Sequence, residues 1–355
     1  MTEETISYKK WDKQTQPERI LIIRFHAIGD VSLTIPASNS LRKLFPSARI
    51  DFLTGELSAP LLNTTDIFDN IYSFKDYSQL TYNGDSFKVR MDKWREASKW
   101  GWLLKENKYE IIIDLQRNHT SKILRFIIRT EYFSEFDRFS PRSAAQRTLN
   151  TFHLAGFDKV INDCDIKIKP RLLERTKKLL TENSWNGSSK LIVLNPAGLW
   201  VTRNWPLQNY AGLAKLILKS EDVKFLLIGD DRITEKAKFL KESLGDALID
   251  LTGKTSLDEA FALFKFVTAT VTEDSALLHF SWVSGVPTIA LLGSTRSDWT
   301  SPLPPHGTSF DSSDLECGDC MQSVCKFGDV HCLTRVTPDM VYERLTNLIN
   351  ANKGS

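Results

Sequence analysis

One carboxylate near the start of the chain stands at a strand-to-helix turn, a position that suits a general base. Asp30 follows the short apolar run Ile20 to Ile23, which is typical of a buried parallel strand. Gly29 permits a tight turn before it, and helical spacing resumes after it. Exposed N–H groups at a helix start favour an ionised carboxylate. Asp30 is therefore a candidate general base, and the alternative is an ordinary N-cap aspartate.

A second candidate site follows the strand predicted at Leu191 to Leu194. The loop from Asn195 to Pro206 contains Ala197 and Gly198, small residues that let a ligand approach the backbone. Arg203 in the same loop adds a cation that suits a phosphate group. The alternative for Arg203 is an ordinary surface arginine.

The segment from Val271 to His279 again runs from a strand into a helix. Asp274 is the predicted N-cap, and the first N–H groups of the helix form an anion site with the Ser275 hydroxyl. His279 lies four residues after Ser275 on one helix face. Its alternative role is that of a core histidine with satisfied hydrogen bonds.

Strands and helices alternate along both halves of the chain, which indicates parallel sheets with right-handed crossovers. We expect an α/β protein of two Rossmann-like, doubly wound domains that face each other across a cleft. The domains are predicted at residues 1–185 and 186–355, with a loop rich in Asn, Ser and Gly before the second and a helix from Pro338 at its end. Four segments of the second domain, at residues 195–206, 229–231, 251–256 and 271–279, should converge on one rim of its sheet.

The composition excludes several classes of protein. A content of 41% hydrophobic and 25% charged residues is that of an ordinary globular protein. The net charge of +2 gives no reason to expect nucleic acid as a partner. No Gly-x-Gly-x-x-Gly follows the first strand, which disfavours a Rossmann dehydrogenase. No apolar run approaches the length of about 18 residues needed to span a membrane, and we expect a cytoplasmic protein.

Four of the five cysteines fall close together, at Cys317, Cys320, Cys325 and Cys332. Their number and density suit a structural tetrathiolate site for zinc or iron, although the spacing differs from that of a zinc ribbon. Reduced thiols and disulfides are the alternatives.

Taken together, four segments resemble the lipopolysaccharide heptosyltransferases of glycosyltransferase family 9, inverting enzymes with the two-domain GT-B fold. The segments are Arg24 to Ala37, Asn195 to Pro206, Leu251 to Leu257 and Glu273 to Gly293. The most specific part is the run Asp-Ser-Ala-Leu-Leu-His with the Gly-Val-Pro-Thr-Ile-Ala-Leu-Leu-Gly-Ser-Thr that follows it. The resemblance implies a cytoplasmic enzyme, peripheral to the inner membrane of a Gram-negative bacterium.

The resemblance also implies roles for individual residues. Asp30 takes the proton from the acceptor hydroxyl as heptose leaves ADP-heptose, and transfer requires no cofactor. Where the family often has Thr-Gly after the aspartate, this chain has Ser275 and Ala276, which leaves the nucleotide or sugar preference open. Lys254 and Thr255 match a loop near adenine, and Glu235 matches an acid near ribose. The implied donor-binding residues are Asn195, Ala197, Gly198, Arg203, Gly229, Glu235, Lys254, Thr255, Asp274, Ser275, Ala276 and His279.

The first domain is then expected to bind a lipopolysaccharide inner-core acceptor. The candidate contacts to its phosphates and carboxylates are Arg117, Arg138, Arg142 and Arg147, and a segment with Trp94, Trp100 and Trp102 offers apolar cover. The alternatives are a solvated helix face for the arginines and core packing for the tryptophans. Two other functions stay open: the same fold with another nucleotide sugar or a protein acceptor, and a non-catalytic module that binds a sugar nucleotide.

Overall fold

The computed structural model describes residues 6–13, 15–74 and 87–352, with side chains from Met91 onward in the helix that begins at Phe87. Contacts divide the chain into two compact units, Met1–Lys167 and Ile168–Ser355. The sequence predicts a less regular segment over residues 78–108, and the part of it up to residue 86 lies outside the described residues.

The first unit is built around one six-stranded sheet of order β1-β6-β5-β2-β3-β4. All neighbouring strands run parallel except β1, which pairs antiparallel with β6 at the edge. The strands are β1 (Tyr8–Lys9), β2 (Arg19–Ile23), β3 (Arg49–Gly55), β4 (Asn70–Phe74), β5 (Ile111–Asp114) and β6 (Tyr132–Glu135). The helices are α1 (Ile28–Ser32), α2 (Ile35–Leu44), α3 (Ala59–Leu62), α4 (Phe87–Lys105), α5 (His119–Ile128) and α6 (Ala144–Leu154).

The second unit contains another six-stranded sheet, of order β12-β11-β10-β7-β8-β9, in which every pair is parallel. Its strands are β7 (Lys190–Asn195), β8 (Val223–Leu227), β9 (Leu248–Asp250), β10 (Val267–Glu273), β11 (Thr288–Leu291) and β12 (Gly307–Phe310). Its helices are α7 (Pro170–Glu182), α8 (Leu207–Leu218), α9 (Thr234–Leu244), α10 (Leu257–Ala262), α11 (Ala276–Val283), α12 (Ser297–Thr300), α13 (His331–Thr334) and α14 (Pro338–Asn352).

Central strands in both sheets are apolar because helices cover both of their faces. Residues Ile20–Ile23 of β2 are completely buried between β3 and β5. In the second unit, β7 and β10 lie side by side at the centre of the sheet. The loops after β2, β7 and β10 therefore leave the middle of their sheets at the carboxyl edge, where ligands bind in open α/β folds.

Several elements differ from the sequence-based expectation. The helix predicted after Asp30 is two helices, α1 and α2, because Pro36 in the first turn of α2 has no N–H to continue the earlier one. Three strands were not predicted: β1 has only two residues, and β6 and β12 are short and mix polar with apolar residues. The division between the two units falls before α7, whereas the sequence placed it after residue 185. The helix α7 belongs to the second unit because it packs on α10, with an ion pair of 2.7 Å from Arg175 to Asp258.

The last helix, α14, packs on α8 and β11 of its own unit, with Val341 and Leu345 in the apolar core. Among the described residues, no helix is both long and apolar enough to cross a bilayer.

Candidate functional site

Asp30 lies directly after the central strand of the first sheet, as the sequence predicted. It is the third residue of α1, and the N-cap is Ala27, so the N-cap alternative is wrong. Its carboxylate accepts the Ala27 N–H at 3.4 Å and forms an ion pair of 2.6 Å with the Arg24 guanidinium. The Asp30 side chain is 37% exposed. The carboxylate is thus oriented by the protein and reachable from solvent, as a general base must be.

Arg24, the last residue before the turn, was not predicted as part of the site. It is 8% exposed, donates to the carbonyl of Leu115, and lies 5.0 Å from the Phe136 ring centroid. Its Nε is buried without a hydrogen-bond partner among the described residues. Nothing in a strand-terminal arginine signals this role in the sequence; the contact to Asp30 depends on the turn between them.

Gln116 is a second residue that the sequence analysis missed. Its side chain accepts the Phe25 N–H at 2.9 Å, and its amide nitrogen lies 3.1 Å from Nε2 of His26. Gln116 follows β5, the neighbour of β2. It therefore fixes the backbone just before the turn that carries Asp30.

Three of the four arginines predicted for the acceptor lie around Gln116 and Phe136. Arg138 donates to the Gln116 carbonyl at 2.7 Å, and Arg147 donates to the Arg138 carbonyl at 2.6 Å. Arg117 is 6% exposed and lies 3.4 Å from the carboxylate of Glu135. The fourth, Arg142, is exposed in the segment before α6. None of the four arginines lies on a solvated helix face, because Arg117 and Arg147 are buried and the other two lie in loops.

The tryptophans of α4 divide into one packed and two exposed side chains. Trp100 packs on Tyr72 with a ring separation of 6.0 Å. Trp94 and Trp102 are 52% and 60% exposed, so the core alternative is wrong for both. They lie eight positions apart, close to one face of the helix, and Lys105 stands 4.5 Å from the Trp102 ring. The exposed stripe, which we define as Met91, Trp94 and Trp102, is apolar with a cation at its end.

In the second unit the structure brings Arg203 and Asp274 together. Their ion pair measures 2.8 Å, and Asp274 also accepts the hydroxyl of Thr295 at 2.8 Å. The N-cap of α11 is Ser275 rather than Asp274, which corrects the sequence-based expectation. Arg203 stacks 3.8 Å from the Trp200 ring centroid, and its buried Nε has no hydrogen-bond partner among the described residues.

Asn195 connects the strand ends of β7 and β10. Its amide nitrogen lies 2.7 Å from the Thr272 hydroxyl and 2.6 Å from the Ser275 hydroxyl. Its side-chain oxygen is buried with no partner among the described residues. Ala276 is the first residue of α11, and His279 is half-buried in the same helix. These predicted residues therefore lie with Asp274 at one helix start.

Glu273 and Lys236 belong to this site and were missed by the sequence analysis. Glu273 is completely buried at the end of β10 and accepts the N–H of Gly198 at 2.7 Å. Burial raises the pKa of Glu273 to about 7, against the opposing effects of Lys236 and the backbone N–H groups. Burial also lowers the pKa of Lys236. A glutamate at a strand end looks like a surface carboxylate in the sequence, and only the enclosing loop makes it a core group.

The remaining predicted donor residues lie toward the edge strands β8 and β9. The N–H of Gly253 donates to the Gly229 carbonyl at 2.8 Å, which joins those two loops. Lys254 is exposed and donates to the Asp250 carbonyl at 2.8 Å, with half-buried Thr255 next to it. Glu235 is exposed on α9. Gly229 and Lys254 thus follow adjacent strands on the carboxyl edge, on the β8 side of β7.

A further loop, residues 293–297, packs on the loop that carries Arg203. Ser294 donates its N–H to the Thr202 carbonyl at 3.1 Å, and the Thr202 hydroxyl donates to the Gln322 carbonyl at 2.6 Å. A Cβ at Gly293 would lie 2.0 Å from the Thr202 oxygen, so this approach requires glycine. The Arg203 loop is therefore held from two sides.

The cysteine-rich loop does not form the predicted tetrathiolate site. Cys317, Cys320, Cys325 and Cys332 form no disulfide. Nowhere in residues 6–13, 15–74 and 87–352 are three His, Cys, Asp or Glu side chains grouped as metal ligands. Backbone N–H groups, that of Phe327 foremost, lower the pKa of Cys325, whereas burial raises the pKa of Cys332. We assign no metal to Cys317, Cys320, Cys325 and Cys332.

Comparisons of the sequence and of the structure with known proteins point to one enzyme family. The sequence profile of glycosyltransferase family 9 (heptosyltransferase) matches residues 99–331. Lipooligosaccharide heptosyltransferase 2 of Haemophilus influenzae is 30% identical over 181 residues, half of this chain and 52% of that protein. The enzyme of the same name from Campylobacter jejuni is 23% identical over 91% of this chain and 95% of its own length. The structure of the E. coli ADP-heptose lipopolysaccharide heptosyltransferase II superposes with a TM-score of 0.71 at 19% identity, covering 94% of this chain and 99% of that one. This likeness shows the GT-B fold that the sequence predicted.

Proposed function

The chain belongs to glycosyltransferase family 9, the heptosyltransferases, and from this premise we propose that it transfers heptose from ADP-heptose to a lipopolysaccharide inner core. Relatives named heptosyltransferases of lipooligosaccharide support the acceptor class, and the E. coli enzyme named for ADP-heptose supports the donor. The proposed catalytic role rests on one observation: the Asp30 carboxylate is partly exposed and forms an ion pair with Arg24 at the end of the central strand.

In the proposed reaction Asp30 acts as the general base of a single displacement. The acceptor hydroxyl oxygen forms a bond to the anomeric carbon while the bond from that carbon to the diphosphate oxygen breaks. The hydroxyl proton passes to the Asp30 carboxylate, and the configuration at the anomeric carbon inverts. Arg24 keeps the carboxylate in one orientation, because its guanidinium is itself fixed by the Leu115 carbonyl.

The leaving diphosphate gains negative charge, which the donor site must stabilise. Arg203 supplies a positive charge on a side chain that is 15% exposed, and the first N–H groups of α11 add a positive potential beside it. The Ser275 hydroxyl lies at the same helix start, where Asn195 orients it. We propose that these groups bind the diphosphate, with the Gly229, Glu235, Lys254 and Thr255 region toward the nucleoside.

For the acceptor, we propose that the arginines near Gln116 face anionic groups of the inner core. Arg138 is the central candidate, since it is half-buried and lies next to the residue that fixes the Asp30 turn. The exposed stripe of α4 is proposed to rest against the membrane in which the lipid-anchored acceptor stands. Tryptophan and lysine side chains favour such an interface, where one part of the side chain is apolar and the other is hydrated.

The test is a transfer assay with the full chain, ADP-heptose and a lipopolysaccharide precursor that lacks heptose. ADP release should require the acceptor, and Asp30→Asn should lower kcat by about 10²–10⁴-fold while ADP binding is unchanged. The matched control is Asp69→Asn, because Asp69 also pairs with an arginine, Arg42, and accepts the backbone N–H of Ile50. That pair stands at the amino edge of the same sheet, so its loss should leave kcat unchanged.

Other outcomes separate the alternatives. If a nucleotide is released only from a different sugar donor, the general-base mechanism would stand and the donor would not be ADP-heptose. Binding of ADP without turnover of any donor would favour the non-catalytic module. Equal activity of wild type and Asp30→Asn would refute the general-base role.

A further inference from the structure

Glu273 holds both ends of the loop that carries Arg203. One carboxylate oxygen accepts the Gly198 N–H at 2.7 Å, and the other accepts the Trp205 N–H at 2.7 Å. These two amides bracket the segment in which Arg203 stands. A carboxylate that accepts one backbone N–H on each oxygen fixes the separation of the two loop ends.

The loop packs closely around this contact. A Cβ at Gly198 would lie 2.6 Å from the Arg203 carbonyl oxygen and 2.8 Å from the Glu273 carboxylate. The backbone on either side of Arg203 is therefore closed onto Glu273. The guanidinium is fixed in turn by Asp274, the residue that follows Glu273 on the same strand end.

Lys236 of α9 completes the arrangement. Its ammonium donates to the Pro196 carbonyl at 2.6 Å and to the side-chain oxygen of Asn204, and stands 3.9 Å from the Glu273 carboxylate. The ammonium thus contacts the loop near the same two ends as Glu273 does. The charged form of Glu273 has this one cation within 4 Å among the described residues.

We propose that Glu273 is a positioning residue of the donor site, which sets the loop so that Arg203 meets the diphosphate. This inference rests on the proposed function, because it names a diphosphate as the ligand of Arg203. Glu273 itself touches neither donor nor acceptor in this proposal. Its effect passes through the Gly198 and Trp205 amides.

The proposal predicts a dependence on pH. The ionised carboxylate is a strong acceptor on both oxygens. Protonation converts one oxygen to a hydroxyl, which is a weaker acceptor, and so loosens the contact to one of the two amides. Burial raises the pKa of Glu273 to about 7, so this change falls near neutral pH. The titratable groups that face it are Lys236 from α9 and Tyr210 from α8, with the Arg203–Asp274 pair beyond the strand end. Tyr210 does not titrate in this range, because burial raises its pKa well above 10.

The test compares wild type with Glu273→Gln in ADP binding and in donor turnover from pH 6 to pH 8. Glutamine keeps the shape and one acceptor oxygen but turns its NH₂ toward the second amide. At pH 8 we expect the variant to bind ADP at least fivefold more weakly, with a higher donor KM. The ratio of variant to wild-type Kd should shrink toward one at pH 6. Because ADP titrates identically for both proteins, this ratio cancels the ionisation of its phosphates.

The matched control is Glu110→Gln in the first unit. Glu110 also receives two backbone N–H groups, from Glu18 at 2.6 Å and Arg19 at 3.4 Å, at the amino edge of its sheet. The control should leave the Kd for ADP unchanged at every pH. A change in the thermal midpoint of Glu273→Gln without a pH-dependent change in the Kd ratio would show a purely structural role for Glu273 and refute the positioning role.

Two results overturn the proposal in distinguishable ways. If wild type binds ADP and Glu273→Gln binds it within twofold at pH 8, the positioning role is refuted while the proposed function stands. If wild type neither binds ADP nor turns over ADP-heptose, the proposed function fails and the positioning role fails with it.

Discussion

Replacing Glu273 by glutamine should change how the stability of the protein depends on pH. Glu273 is completely buried, and its pKa is raised from an ordinary 4.5 to about 7 in the folded chain. The folded protein therefore binds this proton more tightly than the unfolded chain does. By linkage, the free energy of unfolding falls as the pH rises from the unfolded to the folded pKa, and stays at the lower level above it.

The size of the effect follows from the pKa difference. At about 1.4 kcal/mol for each pKa unit, the buried ionised carboxylate costs about 3 kcal/mol of stability above pH 7. Glutamine does not titrate, so the variant lacks this loss. The hydrogen bonds that the ionised carboxylate accepts are already contained in its folded pKa, so they add no separate dependence on pH. Part of the loss has occurred by pH 5, and relative to wild type Glu273→Gln should therefore gain about 2.5 kcal/mol between pH 5 and pH 8.

The assay is urea unfolding of the full chain, followed by far-UV circular dichroism at closely spaced pH values from 5 to 8. Glu110→Gln serves as the control for the loss of a carboxylate bound to two amides. A difference between Glu273→Gln and wild type that stays constant within about 0.5 kcal/mol over this range would refute the reasoning. It would mean that Lys236 and the two amides offset the cost of burial in full.

Two further predictions concern the neighbouring loop and the exposed stripe. Gly293→Ala should destabilise the protein by about 1–3 kcal/mol and weaken ADP binding, because the new methyl group would lie 2.0 Å from the Thr202 oxygen. Gly212→Ala is its control in urea unfolding, because a Cβ at Gly212 would meet only the side chain of Pro338, at 3.2 Å. Equal stability of the two variants would contradict the clash at Gly293. Trp94→Ala with Trp102→Ala should weaken binding to phosphatidylethanolamine–phosphatidylglycerol vesicles by about tenfold or more in sedimentation. Phe327→Ala is its control, since Phe327 is 64% exposed and also has a lysine over its ring; an equal loss, or none, would refute membrane contact by α4.

Local patterns in the sequence were enough to locate the strands that matter and the loops that follow them. The apolar runs of β2 and β7 are clear because central parallel strands are buried on both faces, and β10 is marked by its β-branched valines and threonines. Asp30 could be recognised for the same reason, since it follows the most apolar of these runs. The short strands β6 and β12 could not, because their pairing rather than their composition makes them strands.

What the sequence by itself determined is therefore the architecture, the family and the candidate loops. Which side chains meet was decided only by the tertiary structure. Glu273 lies 75 positions from Gly198 in the chain, and no local pattern reports an ion pair or hydrogen bond of such sequence separation. At an open strand end Glu273 would be an ordinary hydrated carboxylate. In the folded chain the loop covers it, and it accepts two backbone N–H groups. Burial changes the free energy of its charge, and burial is a property of the fold.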